Sequence, residues 1–144
     1  MSPEKQFTEE EKNAMVEAIR EAESHTSGEI RVHIENHCPG NVLDRATRIF
    51  AQLEMHKTAL RNGVLFYIAL QDKQLAILGD AGINANVPSG FWNTLKNELI
   101  IHFKQGKITE GICQGVRQAG IQLKQFFPRQ KDDINELSDE ISFK

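Results

Sequence analysis

Apolar residues recur along this chain with two periods, one helical and one of two, and the switches between them lay out the elements. Met15, Ile19 and Ala22 stand at helical spacing behind Thr8 and Glu11, a capping-box pair, so a helix is expected from about Glu9 to Ser24. Glu29 to Glu35 alternates polar with apolar, the pattern of a half-buried strand. After the turn Pro39-Gly40-Asn41, a second helix is marked by Val42, Ala46, Ile49, Phe50 and Leu53. Val64 to Leu70 is a continuous apolar run, which reads as a central strand covered on both faces. The short connection Gln71-Asp72-Lys73 leads to a third strand, Gln74 to Leu78, closed by the loop Gly79-Asp80-Ala81-Gly82. Ser89 is placed to cap a third helix that buries Trp92, Leu95, Leu99 and Phe103, and Gly106 breaks it. A fourth helix is expected from about Thr109 to Phe127, with Ile112, Val116, Ala119 and Leu123 inward and Pro128 as its stop. Its glycines, Gly111 and Gly115 among them, each cost about 1 kcal/mol relative to alanine, so a close approach to a neighbouring helix is expected as the offset.

The order of elements constrains the topology. The first strand, second helix and second strand make a βαβ unit with parallel strands and a right-handed crossover. The second and third strands are joined too tightly for a crossover and must be antiparallel. The remaining helices cover the other face, which gives an α/β fold, a three-layer αβα sandwich on a small mixed sheet. Residues 1–7 read as a disordered lead-in, residues 8–128 as the domain, and residues 129–144 as an acidic tail docked on it, with a short strand near Glu140 to Phe143.

The chain has 144 residues, 40% hydrophobic and 26% charged, which suits one domain with its own core. A net charge of −3 argues against a nucleic-acid footprint, which normally needs a basic excess. The longest apolar run is strand-sized, well short of the ~20 residues that span a bilayer, so no membrane partner is expected. The polar start lacks the apolar stretch of a signal peptide, and Cys38 and Cys113 are far apart and outside CxxC spacing. Both are read as reduced thiols of a cytoplasmic protein.

Topology sorts the polar residues onto two rims. One collects Ser27, Glu29, Arg61, Asn62, Asp80 and Asn84, with the acidic tail beside it; the other collects His37, Cys38, Asp44 and Asp72. A strand of seven residues separates them by about 23 Å, too far for one ion or small substrate to bridge. On the second rim, a cysteine phosphatase would need Cys, five residues, then Arg over a helix N-terminus; here Arg45 comes one residue late and Asp44 takes its place. Zinc is also disfavoured, because His33 and His37 would lie about 13 Å apart along the strand, and His25 and Cys38 do not mend that spacing. An amphipathic second helix carrying Arg45, Arg48, His56 and Lys57 reads more simply as a core-facing helix with a solvated face. On the first rim, the glycine-rich loop from Gly79 to Asn86 carries one carboxylate and two amides. Together with Glu29 and the tail acids Asp139 and Glu140, it offers the oxygen-rich surroundings a hard cation needs, although Asp80 and Asn84 also fit as plain turn residues.

Five segments occur in order over nearly the whole chain: Thr26 to Val32, Arg61 to Leu65, Gly79 to Ile83, Phe103 to Gly106 with Gly111-Ile112, and Asn135 to Ile141. Together they resemble the TPM domain family. Many members carry a signal peptide and a C-terminal membrane segment; this sequence is similar to the stand-alone cytoplasmic branch. The resemblance implies an αβα sandwich, a divalent cation, Ca²⁺ foremost, and the weak acid phosphatase activity of plant relatives. Carried over residue by residue, it implies Asp80 and Asn84 as metal ligands, Glu29 and Asp139 as further ligands, and Arg61 as an anion or substrate contact. Asn84 stands where many anchored members have glutamate; an amide keeps one oxygen but loses the charge. Ser138 stands where the stand-alone branch commonly has proline. The expectation is a metal-binding interaction module that docks a protein or small ligand. The alternative is a metal-assisted phosphatase in which the ion polarises a phosphoryl oxygen and Arg61 holds the phosphate, with Ser27 or water as nucleophile.

Overall fold

In a computed structural model of the chain, residues 1–130 and 135–144 are described; tail residues 131–134, which belong to the acidic segment anticipated above, lie outside them. The sheet has strand order β3-β2-β1-β4, built from β1 (Glu29–Glu35), β2 (Gly63–Ala69), β3 (Gln74–Gly79) and β4 (Ser142–Phe143). β1 pairs parallel with β2 over seven residues, from Glu29↔Gly63 to Glu35↔Ala69, and β2 pairs antiparallel with β3. β4 runs parallel to β1 on its outer side.

Helix α1 (Glu9–Glu23) starts at the Thr8–Glu11 capping box, both halves of which form. Helix α2 (Val42–Gln52) is capped by the Asn41 side chain, which accepts from the Leu43 and Asp44 amides. A one-turn helix, α3 (Ala81–Asn84), occupies what the sequence read as an open loop, because the Asp80 side chain accepts from the Ala81 amide and nucleates the turn. Helix α4 (Phe91–Lys104) starts from Gly90 in the left-handed region (φ 80°) rather than from a Ser89 cap. Helix α5 (Ile108–Phe126) follows the Gly106 break.

Two cores result. Ile30, Val32 and Ile34 of β1 join Val64, Phe66 and Ile68 of β2 beneath α1, α4 and α5. Leu65, Tyr67 and Ala69, on the opposite face, pack with Ala46 and Ile49 of α2. The αβα layering expected from the sequence is therefore present. Residues 1–7, read as a disordered lead-in, include a 3₁₀ turn over Glu4–Gln6 and a buried Phe7 that joins the larger core.

The α5 glycines sit where neighbouring helices come close. A Cβ at Gly115 would lie 2.6 Å from a Leu99 methyl of α4, and one at Gly120 would lie 2.6 Å from the Ala22 Cβ and 2.9 Å from the Ala22 Cα of α1. The first obstacle is the end of a flexible side chain; the second includes backbone. Replacing Gly120 by alanine should therefore destabilise the fold by roughly 1–3 kcal/mol of overpacking, exceeding the ~1 kcal/mol gained in helix propensity. Urea unfolding of Gly120→Ala beside wild type measures the sign.

Candidate functional site

The loop before β2 and the corner after β3 meet at the first rim. The Asp80 amide donates to the Gly63 carbonyl at 2.9 Å, and the Gly82 amide donates to the Arg61 carbonyl at 2.9 Å. Only glycine allows this second approach, since a Cβ at position 82 would run into the Leu60 and Arg61 carbonyl oxygens. Arg61, itself in a left-handed backbone conformation (φ 51°), forms a two-pronged ion pair with Asp80: Nε to Oδ2 at 2.7 Å and Nη2 to Oδ1 at 2.8 Å. Burial alone would raise the Asp80 pKa, but the Arg61 hydrogen bonds and the Ala81 amide outweigh it and hold the carboxyl below its ordinary value. The Asn84 oxygen accepts from the Trp92 indole at 2.8 Å, and its amide donates to the Gly79 carbonyl at 2.8 Å. The tertiary path thus brings Arg61, Asp80 and Asn84 to one corner, but it commits their polar atoms to one another and to the loop.

Glu29 and Asp139 belong to a different group, along β1. Because side chains alternate, Glu29, Arg31, His33 and Glu35 share the face opposite Ile30, Val32 and Ile34. The strand reads as half-buried from its sequence, yet Glu29, His33 and Glu35 are each 3% exposed or less. The row is covered by the C-terminal segment and the edge of α2.

At the C-terminal end of β1 the row is saturated. Arg45 of α2 grips Glu35 through Nε and Nη2, both at 2.9 Å, and the Tyr67 hydroxyl donates to the same carboxylate. His33 lies between Glu35 (Nε2 to Oε1, 3.2 Å) and Ser142 (Nδ1 to Oγ, 2.8 Å), stacked on Tyr67. Burial pushes the Glu35 pKa up, but the hydrogen bonds from Arg45, Tyr67 and His33 prevail and take it down to about 2. Burial also lowers the His33 pKa, so the imidazole is neutral at pH 7. Ser142, His33 and Glu35 thus form a chain of hydrogen bonds in which His33 and Glu35 are buried and Ser142 is half-buried.

At the N-terminal end the row is not saturated. Glu29 Oε1 accepts from the Leu137 amide at 2.7 Å, while Oε2 is buried without a hydrogen-bond partner. Glu23, at the end of α1, accepts from the Ile30 amide at 2.8 Å and shares a hydrogen bond with Asp139. Two carboxyl groups bond to each other only if one keeps a proton. Burial, followed by the Asp139 contact, pushes Glu23 up to about 10. Burial, opposed by the Leu137 and Glu136 amides and reinforced by the Glu136 and Asp139 charges, takes Glu29 to about 7. The Arg31 Nε is likewise buried without a partner, while its Nη2 reaches the Glu140 carbonyl at 3.4 Å. Among the described residues, no three Asp, Glu, His or Cys side chains converge as a metal-binding group.

On the second rim, Cys38 Sγ lies 3.7 Å from the Gly40 carbonyl, and Arg45 is held by Glu35 rather than turned to a phosphate. His37 pairs with Asp72 at 3.0 Å, away from the His33 network. The residues the sequence reading did not single out, Glu23, Glu35, Tyr67 and Thr58, are buried, and Arg31 is half-buried. The signal was present in the run of four ionisable side chains at alternate positions of β1, which fits a solvated strand face equally well.

These pKa directions set opposing limbs in the pH dependence of stability. Glu35, lowered, contributes fully above its ordinary value of 4.5 and loses that contribution as pH falls towards about 2. Glu29 and Glu23, raised, bind protons more tightly when folded, so stability declines as pH climbs above 4.5, through about 7 for Glu29 and on to about 10 for Glu23. Melting temperatures should peak in mild acid and fall towards pH 8, and Glu29→Gln should flatten that fall. Arg45→Ala should destabilise at neutral pH by roughly 3–5 kcal/mol, since it strands a buried carboxylate; chemical denaturation tests this.

No helix among the described residues is long and apolar enough to cross a membrane. No curated protein matches this sequence. The chain is similar to the BA42 protein of the psychrophilic bacterium Bizionia argentinensis, whose NMR structure superposes with a TM-score of 0.88 at 48% identity over 94% of both chains. It also shares its fold with the N-terminal domain of a protein from P. gingivalis, solved by solution NMR, with a TM-score of 0.68 at 20% identity over 83% of this chain and 77% of that one. The family model of the TPM domain matches residues 2–122. With a family model that covers most of the chain and the same mixed sheet and helical layers, this chain belongs to the TPM domain family.

Proposed function

We propose that this chain is a binding module that takes a divalent cation, Ca²⁺ by the chemistry of its donors, between Glu29 and the C-terminal segment around Asp139. The observation that carries this reading is Glu29 Oε2, a carboxylate oxygen that is buried and unpartnered and that feels the charges of Glu136 and Asp139, although no three such side chains converge on it among the described residues. A hard cation satisfies such an atom and relieves the carboxyl crowding that otherwise demands protons. Glu29 and Asp139 would hold it, with backbone carbonyls and water filling a shell that Ca²⁺ accepts in irregular geometry. Asp80 and Asn84, the ligands the resemblance implies, accept from Arg61, the Ala81 amide and the Trp92 indole, so a cation at that corner would have to compete with these bonds. Arg61, which would grip phosphate in a phosphatase, gives Nε and Nη2 to Asp80, so binding is favoured over phosphate-ester hydrolysis.

Melting the protein in EDTA and in millimolar Ca²⁺ tests the reading. Cation at a hundredfold over its dissociation constant adds about 2.7 kcal/mol, a rise of several degrees for a domain of this size. Glu29→Gln should lose the rise while keeping the Leu137 contact, and Asp80→Ala should keep the rise from a lower baseline. An unchanged wild-type melting temperature would end the cation reading. Turnover of a phosphate-ester reporter that disappears in Arg61→Ala would favour the phosphatase instead.

A further inference from the structure

Two arginines of this chain each give the same side-on edge, Nε with Nη2, to a carboxylate. Arg45 gives it to Glu35, both bonds at 2.9 Å, and Arg61 gives it to Asp80 at 2.7 and 2.8 Å. Arg31 differs. Its Nε is buried without a hydrogen-bond partner, and its Nη2 reaches the Glu140 carbonyl at 3.4 Å. Asp139, Glu140 and Glu23 act on it through their charges, but among the described residues no carboxylate is hydrogen-bonded to it.

Arg31 lines a cavity of about 300 Å³ that Glu136, Leu137 and Ser138 also line. Thr58, which follows the 3₁₀ turn Met55–Lys57, lines the same cavity; it is 4% exposed, and its hydroxyl has no partner either. Buried polar groups are almost always bonded, so two left unmade at one cavity point to an occupant. Arg31 Nε can only donate, so the occupant brings an acceptor. The other charges of the lining have partners: Lys57 pairs with Glu54 at 3.1 Å, and the Glu136 carboxylate accepts from the Ala59 amide at 3.3 Å. Glu29 stands two residues before Arg31 on the same face of β1, about 6.6 Å away along the strand. It accepts from the amide of Leu137 and feels the charge of Glu136, both of which line the cavity. The cation proposed above therefore borders this cavity. Its protein shell is also short of ligands, since Ca²⁺ takes about six to eight oxygens and no three acidic, His or Cys side chains converge among the described residues.

We propose that this cavity takes a small organic carboxylate, held by the open edge of Arg31 and the Thr58 hydroxyl on one side and by the cation at Glu29 and Asp139 on the other. This rests on the cation reading and names the ligand that the cation serves. A carboxylate has the planar, two-oxygen shape that Glu35 and Asp80 already offer to Arg45 and Arg61. It also brings a single negative charge, where a phosphate monoester brings about two among Glu54, Glu136, Asp139 and Glu140. The cavity is at the small end for ligand sites, and Leu53 and Leu137 give it apolar wall for a short aliphatic chain. Arg31 Nε and the Thr58 hydroxyl are sealed from bulk water, where bonds to a charged ligand are strong. The wall that yields on entry is the segment from Glu136 to Ser138, tied down by the Leu137 amide to Glu29 and by the Ala59 amide to Glu136. Cation and carboxylate each strengthen the binding of the other.

NMR titration of the full chain with sodium butyrate tests the proposal. In millimolar Ca²⁺, butyrate should shift the Thr58 and Leu137 amides and the Arg31 Nε–H resonance saturably, and EDTA should weaken its binding about fivefold or more. Arg31→Lys keeps the charge but loses the fork, and should weaken butyrate roughly tenfold. Thr58→Val keeps the shape and loses only the hydroxyl, and should weaken butyrate too. Butyramide, of the same size without the charge, should not compete. Equal binding of butyramide, tighter binding of methyl phosphate than of butyrate, the same butyrate affinity in EDTA as in Ca²⁺, or full affinity in both variants would overturn the proposal. A melting temperature that rises with Ca²⁺ while butyrate shifts nothing would overturn this inference and leave the cation reading standing. A melting temperature unmoved by Ca²⁺ would end both.

Discussion

The constraint on which the rest of the structure depends is the row of four ionisable side chains on one face of the central strand. Glu29, His33 and Glu35 are buried and Arg31 half-buried once β1 lies inside a three-layer fold, and leaving a charged group buried and unpaired costs several kcal/mol. Each must find a partner from elsewhere in the chain. Two come from the elements flanking the strand: Arg45 from α2 and Tyr67 from β2 converge on Glu35. The others come from the C-terminal segment, whose amide, carbonyl and hydroxyl groups reach Glu29, Arg31 and His33.

That division explains why the two ends of β1 differ. Helix α2 packs on β2 and β3 and sends Arg45 to Glu35 of β1, so one end of the row is closed by a helix with a guanidinium of matched geometry. The other end is closed by a short irregular segment that brings more carboxylates, Glu136, Asp139 and Glu140, to a place already holding Glu23 and Glu29. Arg20 pairs with Asp139 at 3.8 Å and Arg31 lies among the same carboxylates, yet burial still lifts Glu23 and Glu29 above the ordinary carboxylate range.

The Arg61–Asp80 pair belongs to a different task. It ties the loop before β2 to the corner after β3, and with Gly82 against the Arg61 carbonyl it closes the rim of the sheet. An arginine and an aspartate drawn together by the chain path suggest a binding pocket when read from sequence. In three dimensions, each is the other's partner.

Much of the architecture was legible beforehand. The boundaries of α1, β1, α2 and β2, the parallel and antiparallel pairings and the close approach behind the α5 glycines all follow from periodicity, capping and connection length, which act over a few residues. The meeting of Arg61 with Asp80 also follows from topology. What the sequence by itself did not determine was the state of each polar group there. Alternating Glu29, Arg31, His33 and Glu35 describe a solvated strand face and a buried polar row equally well, because the local period is the same. Only the distant tail, arriving through contacts more than a hundred residues away in sequence, decided that the face is buried and which of its atoms go unpaired.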